Sequence, residues 1–165
     1  MNTGSYFRIL FSGKQVNLTF DVSQMVDITS EIYFRVDNGP MTPSLVLSNV
    51  YIPVSSNLSQ GDVPFHYLEV MVKSMTETRN RWSNGISTRV VFTGLLLDNG
   101  SEVTNVVPKA VNILIYGDSI TEGVLCAGGS QKFDTDHNDV SLRFPSPQSE
   151  LFFLTLAHPP FFFTA

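Results

Sequence analysis

Five stretches in the first 107 residues alternate apolar with polar side chains: SYFRILF (5–11), KQVNLTFD (14–21), EIYFRVD (31–37), HYLEVMVK (66–73) and STRVVFTGLLLD (88–98). A period of two places one face of an extended chain on a core and the other in water, so these stretches predict half-buried β-strands. The breaks between them are turn residues: Ser12-Gly13, Asp37-Asn38-Gly39-Pro40, Asn84-Gly85 and Asp98-Asn99-Gly100. Asn-Gly and Asp-Asn-Gly reach positive φ at low cost, as hairpins require. No helical period interrupts the pattern. Residues 1–107 are therefore expected to form an antiparallel β-sandwich, jelly-roll-like, with FRILFSGKQVNLTFD as a hairpin turning at Ser12-Gly13-Lys14.

Composition agrees with a packed domain. Of 165 residues, 42% are hydrophobic and 13 are Phe, which is enough apolar material for a core. Only 15% are charged and the net charge is −5, with no Lys/Arg cluster to neutralise phosphates, so nucleic acid is not an expected partner. No apolar run is long enough to span a bilayer, so no membrane partner is expected either. Cys126 is the only cysteine, which excludes an internal disulfide and a Cys-rich zinc site. A buried or loop thiol is its ordinary role. The start MNTGSYFRILFSG lacks a charged segment followed by an apolar one, so no signal peptide is visible and the sequence assigns no compartment. Three Asn-x-Ser/Thr sequons begin at Asn17, Asn57 and Asn99, and these matter only in a secreted chain.

The character changes after residue 107. Pro108-Lys109-Ala110 reads as a junction, and VNILIYG (111–117) is a continuous apolar run, the mark of a strand buried on both faces. It stops abruptly in Gly-Asp-Ser. A strand that ends this way and opens into a helix puts Ser119 at the carboxyl edge of a sheet, where α/β folds bind ligands. The first helical N–H groups there are unpaired and carry partial positive charge, which suits an oxyanion formed by attack of the Ser119 hydroxyl on a carbonyl. Gly117 and Gly123 permit the tight turn. The plainer reading is that Asp118 or Ser119 only caps a helix.

The heptapeptide GDSITEG (117–123), preceded by NILIY, resembles block I of the SGNH, or GDSL, hydrolase superfamily. The resemblance implies that Ser119 is the nucleophile and that its backbone N–H contributes to the oxyanion hole. Gly117, Asp118, Thr121, Glu122 and Gly123 then shape the loop. A β-sandwich, STRVVFTGLLLDNG, a proline and a strand into GDSITEG are together similar to two-domain acetyl esterases of the acetylxylan type, which place a jelly roll before the hydrolase domain. The likeness covers roughly residues 4–142. It implies a mainly β chain: residues 1–107 a jelly-roll-like sandwich, and residues 108–142 the first strand and helix start of an α/β hydrolase domain. It further implies an acetylated carbohydrate or other small ester as substrate, and no metal or cofactor.

The family's other parts have no assignable counterpart. It supplies a base from a C-terminal Asp-x-x-His block, and oxyanion donors from a block-II Gly and a block-III Asn. DTDH (134–137) has the Asp-x-x-His spacing, but it follows Ser119 closely, in a polar stretch that reads as a solvated loop. Gly128-Gly129 comes too early for block II and reads as a turn. His66 starts a sandwich strand as an edge residue, and His158 sits among prolines. Trp82 is able to stack on a sugar ring, though packing against a neighbouring domain is its simpler role. Residues 143–165 hold four of the nine prolines and six of the 13 Phe with no clean period. The chain is accordingly expected to be a fragment of such an esterase, with an atypical tail. The alternative is a non-catalytic carbohydrate-binding or structural sandwich module, and a sugar-binding sandwich would expose two or three aromatic side chains on one face.

Overall fold

The computed structural model describes residues 3–25, 30–54, 65–76, 79–80, 85–86, 88–107 and 139. Among the described residues eight strands are formed: β1 (Tyr6–Phe11), β2 (Gln15–Asp21), β3 (Glu31–Val36), β4 (Thr42–Leu45), β5 (Asn49–Pro53), β6 (His66–Ser74), β7 (Val91–Leu97) and β8 (Val103–Asn105). They make two sheets, one in the order β4-β3-β6-β1-β8 and one in the order β5-β2-β7. Every pairing is antiparallel. The described residues contain no helix. The expected mainly β, antiparallel sandwich is what the chain forms.

The alternation in sequence fixes which side chains meet between the sheets. Phe11, Ile32, Leu68, Val70 and Val72 come from the larger sheet, and Val16, Leu18, Phe20, Val50 and Ile52 from the smaller, all buried. Each such side chain is worth about 1.5–3 kcal/mol on burial. Phe7 of β1 stacks on Phe92 of β7 at 4.6 Å between ring centroids, tying the two sheets at one end, and within the smaller sheet Phe20 meets Phe92 edge-on at 5.6 Å.

One expected feature is overturned. Residues 5–21 do not form a hairpin: β1 pairs with β6 and β8, whereas β2 pairs with β5 and β7. Ser12-Gly13-Lys14 is a corner that carries the chain from one sheet to the other. Asp98–Ser101 does the same between β7 and β8, and the two corners stack. Ser12 N–H donates to the Glu102 carbonyl at 2.9 Å, Glu102 N–H to the Ser12 hydroxyl at 2.8 Å, and Lys14 N–H to the Asp98 carboxylate at 2.8 Å. Gly13 has φ of 112°, and a Cβ there would lie 2.5 Å from the Ser101 hydroxyl oxygen. Period-two alternation says that a strand has a buried face, but not which strand lies beside it. Asp37-Asn38-Gly39-Pro40 does close a hairpin, between β3 and β4, with Asp37 at φ of 51°.

Strands β4 and β5 carry Pro43 and Pro53, and β8 has three exposed residues, so none stands out as a strand in sequence. The hydrolase strand and helix start expected at 108–142, and the tail 143–165, lie outside the described residues apart from Asp139.

Candidate functional site

The outer face of the five-stranded sheet is where the described residues concentrate their polar chemistry. With Phe7, Ile9, Ile32, Phe34, Leu68, Val70 and Val72 turned to the core, the alternate positions of β1, β3 and β6 point outward. Register then sets them in rows. Arg8, Glu69 and Arg35 form one row, and Tyr6, Met71 and Tyr33 the next.

Glu69 sits at the centre of the first row and is only 4% exposed. Arg8 donates to its Oε1 from Nε and from a terminal nitrogen, both at 3.1 Å, and Arg35 donates to Oε2. Both carboxylate oxygens thus take charge-assisted bonds, which is the condition under which a carboxylate survives burial. Arg8 also lies 5.4 Å from the centre of the Tyr6 ring. Beside this row Lys73 pairs with Glu31 and lies 5.8 Å from the centre of the Tyr33 ring. Burial, and then the charge of Glu69, raise the Tyr67 hydroxyl above its ordinary value of 10.0.

A solvated outer face would leave these groups wet. Instead Glu69 and Lys73 are buried, and the Tyr33 hydroxyl donates to the Asp139 carboxylate at 2.7 Å. Asp139 is itself only 5% exposed. Asp139 therefore lies against this face, and the polar ladder is an internal contact surface at this residue.

His66 is the first residue of β6, a central strand rather than an edge. Its Nδ1 lies 2.9 Å from Asp37 Oδ2, while Tyr67 N–H donates to Asp37 Oδ1 at 2.8 Å. The ring also packs on Phe11 at 5.7 Å. This histidine fastens the end of β3 to β6.

The residues named for catalysis, Ser119 with Gly117, Asp118, Thr121, Glu122 and Gly123, lie outside the described residues. So do Trp82, Cys126, Gly128, Gly129, His137 and His158. Of the sequons, Asn17 is 7% exposed within β2 and its amide donates to Asn49 Oδ1 at 3.0 Å, so a glycan there is incompatible with this sheet. Asn99 is exposed on the β7–β8 corner, and Asn57 lies outside the described residues. Among the described residues Tyr51 is the only exposed aromatic, at 67%. The two or three exposed rings expected of a sugar platform are not found there.

Sequence reasoning missed Arg8, Arg35, Glu69, Lys73 and Asp139. Their signal is faint but real: opposite charges occupy outward positions in three separate strands. Only the register shows that they form one row.

No family model matches the chain, and no curated protein sequence matches it. Solved structures do. One, described as a carbohydrate esterase whose active site displays divergent catalytic and non-catalytic binding functions, is 17% identical with a TM-score of 0.56, over 91% of this chain and 40% of that one. Another, a family two carbohydrate esterase from Cellvibrio japonicus, is 19% identical with a TM-score of 0.54, over 85% of this chain and 38% of that one. The chain thus spans about two fifths of the length of each. The two-sheet sandwich, reached first from alternation in the sequence, is a carbohydrate-esterase-like fold.

Proposed function

We propose that this chain carries the sandwich and the nucleophile segment of an SGNH-type carbohydrate O-deacetylase. The observation that carries the reading is a conjunction. A sandwich built like that of carbohydrate esterases is followed, past a proline, by VNILIYGDSITEG. In this reading the Ser119 hydroxyl attacks the acetyl carbonyl, its backbone N–H takes part of the charge on the oxyanion, and the sugar hydroxyl leaves. Water then attacks the acyl-serine and releases acetate. The sandwich acts as a brace through its outer face, with Tyr33 and the Arg8–Glu69–Arg35 row as the contact surface and Asp139 as the residue it holds.

Attack by serine requires a base. His66 is committed to Asp37, His137 has the Asp-x-x-His spacing but follows Ser119 closely in a polar stretch, and His158 sits beside prolines. A nucleophile without its base retains none of the advantage of having one, because the members of a catalytic triad act as a unit. Hydrolysis of a small acetyl ester by the 165-residue chain and by Ser119→Ala is therefore expected to proceed at equal rates. Turnover that disappears in Ser119→Ala would overturn the absence of a base and make His137 the next residue to change. The nucleophile role is tested separately, by moving residues 111–124 into a working esterase.

A further inference from the structure

The tripeptide Asp-Asn-Gly stands at two turns of the sandwich, as Asp37-Asn38-Gly39 and as Asp98-Asn99-Gly100. An asparagine followed by glycine is open to attack by its own chain. The glycine nitrogen closes on the asparagine Cγ to form a succinimide ring, and glycine, having no Cβ, obstructs that closure least. Both asparagines are exposed, and both follow an aspartate, so neither exposure nor the tripeptide separates them. What separates them is how the attacking nitrogen is held.

Asp37-Asn38-Gly39 is a pinned turn. Gly39 N–H donates to the Val36 carbonyl at 3.0 Å, and a Cβ on Gly39 would lie 3.0 Å from that same oxygen. Asp37 is fastened as well. Its N–H donates to the Tyr67 carbonyl at 2.7 Å, and its carboxylate accepts from Tyr67 N–H at 2.8 Å and meets the His66 ring at 2.9 Å. Attack from Gly39 would have to break its bond and move this turn. In Asp98-Asn99-Gly100 the closing bond bypasses the glycine. Ser101 N–H donates to the Asp98 carbonyl at 3.0 Å and Gly100 stands at φ of 80°, the arrangement of a type II turn. The Gly100 N–H is outside that bond and has no partner among the described residues. Apart from its chain neighbours, no described residue comes within 4 Å of where a Gly100 Cβ would be, so this peptide has room to rotate.

We propose that Asn99 is a self-modification site that deamidates through a succinimide, while its turn protects Asn38. The Gly100 nitrogen attacks Asn99 Cγ. The N–Cγ bond forms, the Cγ–Nδ2 bond breaks, and ammonia leaves with the proton that Gly100 gave up. Water then opens the ring at either carbonyl. Opening at Cγ leaves aspartate. Opening at the main-chain carbonyl leaves isoaspartate, with the chain rerouted through Cγ and one carbon longer. No electrons are transferred, and water is the only co-reactant. Either product adds one negative charge to a chain of net −5. Isoaspartate also lengthens the link between Asp98 and Ser101, within the corner that holds Lys14 N–H on the Asp98 carboxylate at 2.8 Å and Glu102 N–H on the Ser12 hydroxyl at 2.8 Å. The modification therefore loosens the stacked corners that carry the chain between the sheets.

The test incubates the full 165-residue chain at mildly alkaline pH, once folded and once in concentrated urea. Peptide-resolved mass spectrometry, with isoaspartyl methyltransferase labelling, follows both tripeptides. Urea removes both turns, so the ratio of the Asn99 rate to the Asn38 rate there reports the chain's intrinsic chemistry. In the folded chain that ratio is expected to be larger by about fivefold or more, the factor that one main-chain hydrogen bond is worth. A folded ratio no larger than the ratio in urea overturns the proposal. So does an Asn99 that stays intact in the folded chain. The effect on the corner is read separately, by hydrogen exchange on the isolated isoaspartyl form. Exchange of the Lys14 amide is expected to quicken, and exchange unchanged from that of the fresh chain would overturn the coupling.

Discussion

Replacing Glu69 by Gln keeps its shape and removes its charge, so the change isolates what the buried carboxylate does on the outer sheet face. Glu69 and Arg8 side chains are 5% and 13% exposed, and Arg35 is 35% exposed. The two bonds from Arg8 go to a single oxygen and are charge-assisted, and loss of such an interaction costs about 1.5–3 kcal/mol. The Arg35 pair, being far more exposed, contributes only about 0.5 kcal/mol. Gln further turns an N–H₂ group towards one of the guanidinium groups, setting donor against donor. The sum is about 3 kcal/mol, at the low end of what breaking a buried ion pair costs. In a domain of this size that lowers Tm by roughly 10–20 °C. Urea and thermal unfolding of the wild type and Glu69→Gln, followed by circular dichroism, measure it. Arg8→Met should cost less than Glu69→Gln but more than Arg35→Met, in the order of their burial. A loss below about 1 kcal/mol for Glu69→Gln would refute the reasoning, because it would mean that the row is solvated and the face is not an internal contact surface.

Two further effects are expected. Gly13→Ala should destabilise the chain by at least about 1 kcal/mol in urea titration, since φ is 112° and the new Cβ would meet the Ser101 hydroxyl at 2.5 Å; Ser101→Gly should recover only the steric part, leaving the backbone strain. The raised Tyr67 hydroxyl makes stability fall in alkali: below the unfolded value of 10.0 the ring is neutral in both states and its contribution is whole, and as pH rises further the unfolded chain ionises first and the contribution is lost. Tyr67→Phe should flatten that decline in a pH series of unfolding midpoints.

The sandwich is legible because a half-buried strand writes its burial into the sequence. Val16, Leu18 and Phe20 alternate with Asn17, Thr19 and Asp21, and the structure buries the first set in the core. Partnership between strands is not written locally. The turn at Ser12-Gly13-Lys14 looks like a hairpin because Gly supplies positive φ in hairpins and corners alike. What makes it a corner is Asp98 and Glu102, far away in sequence, which bond to Lys14 and Ser12. The same limit hides the Arg8–Glu69–Arg35 row, whose members belong to three strands. Strand β5 was open to reading, since Val50 and Ile52 alternate with exposed neighbours, but Pro53 and its shortness mask it. The proposed nucleophile segment lies at the other extreme: GDSITEG is recognisable as a string of residues, while its geometry depends on a sheet that no alternation in this chain describes.

The central claim is that residues 111–124 are a competent nucleophile segment of a carbohydrate esterase. Its most direct test is to substitute this stretch for the corresponding block of an active two-domain carbohydrate esterase and measure acetate release from acetylated xylan. The account predicts that the folded chimera deacetylates its substrate and that Ser119→Ala within the transplanted stretch abolishes release. A chimera that folds as the parent does yet releases no acetate, or one whose activity survives Ser119→Ala, would contradict it.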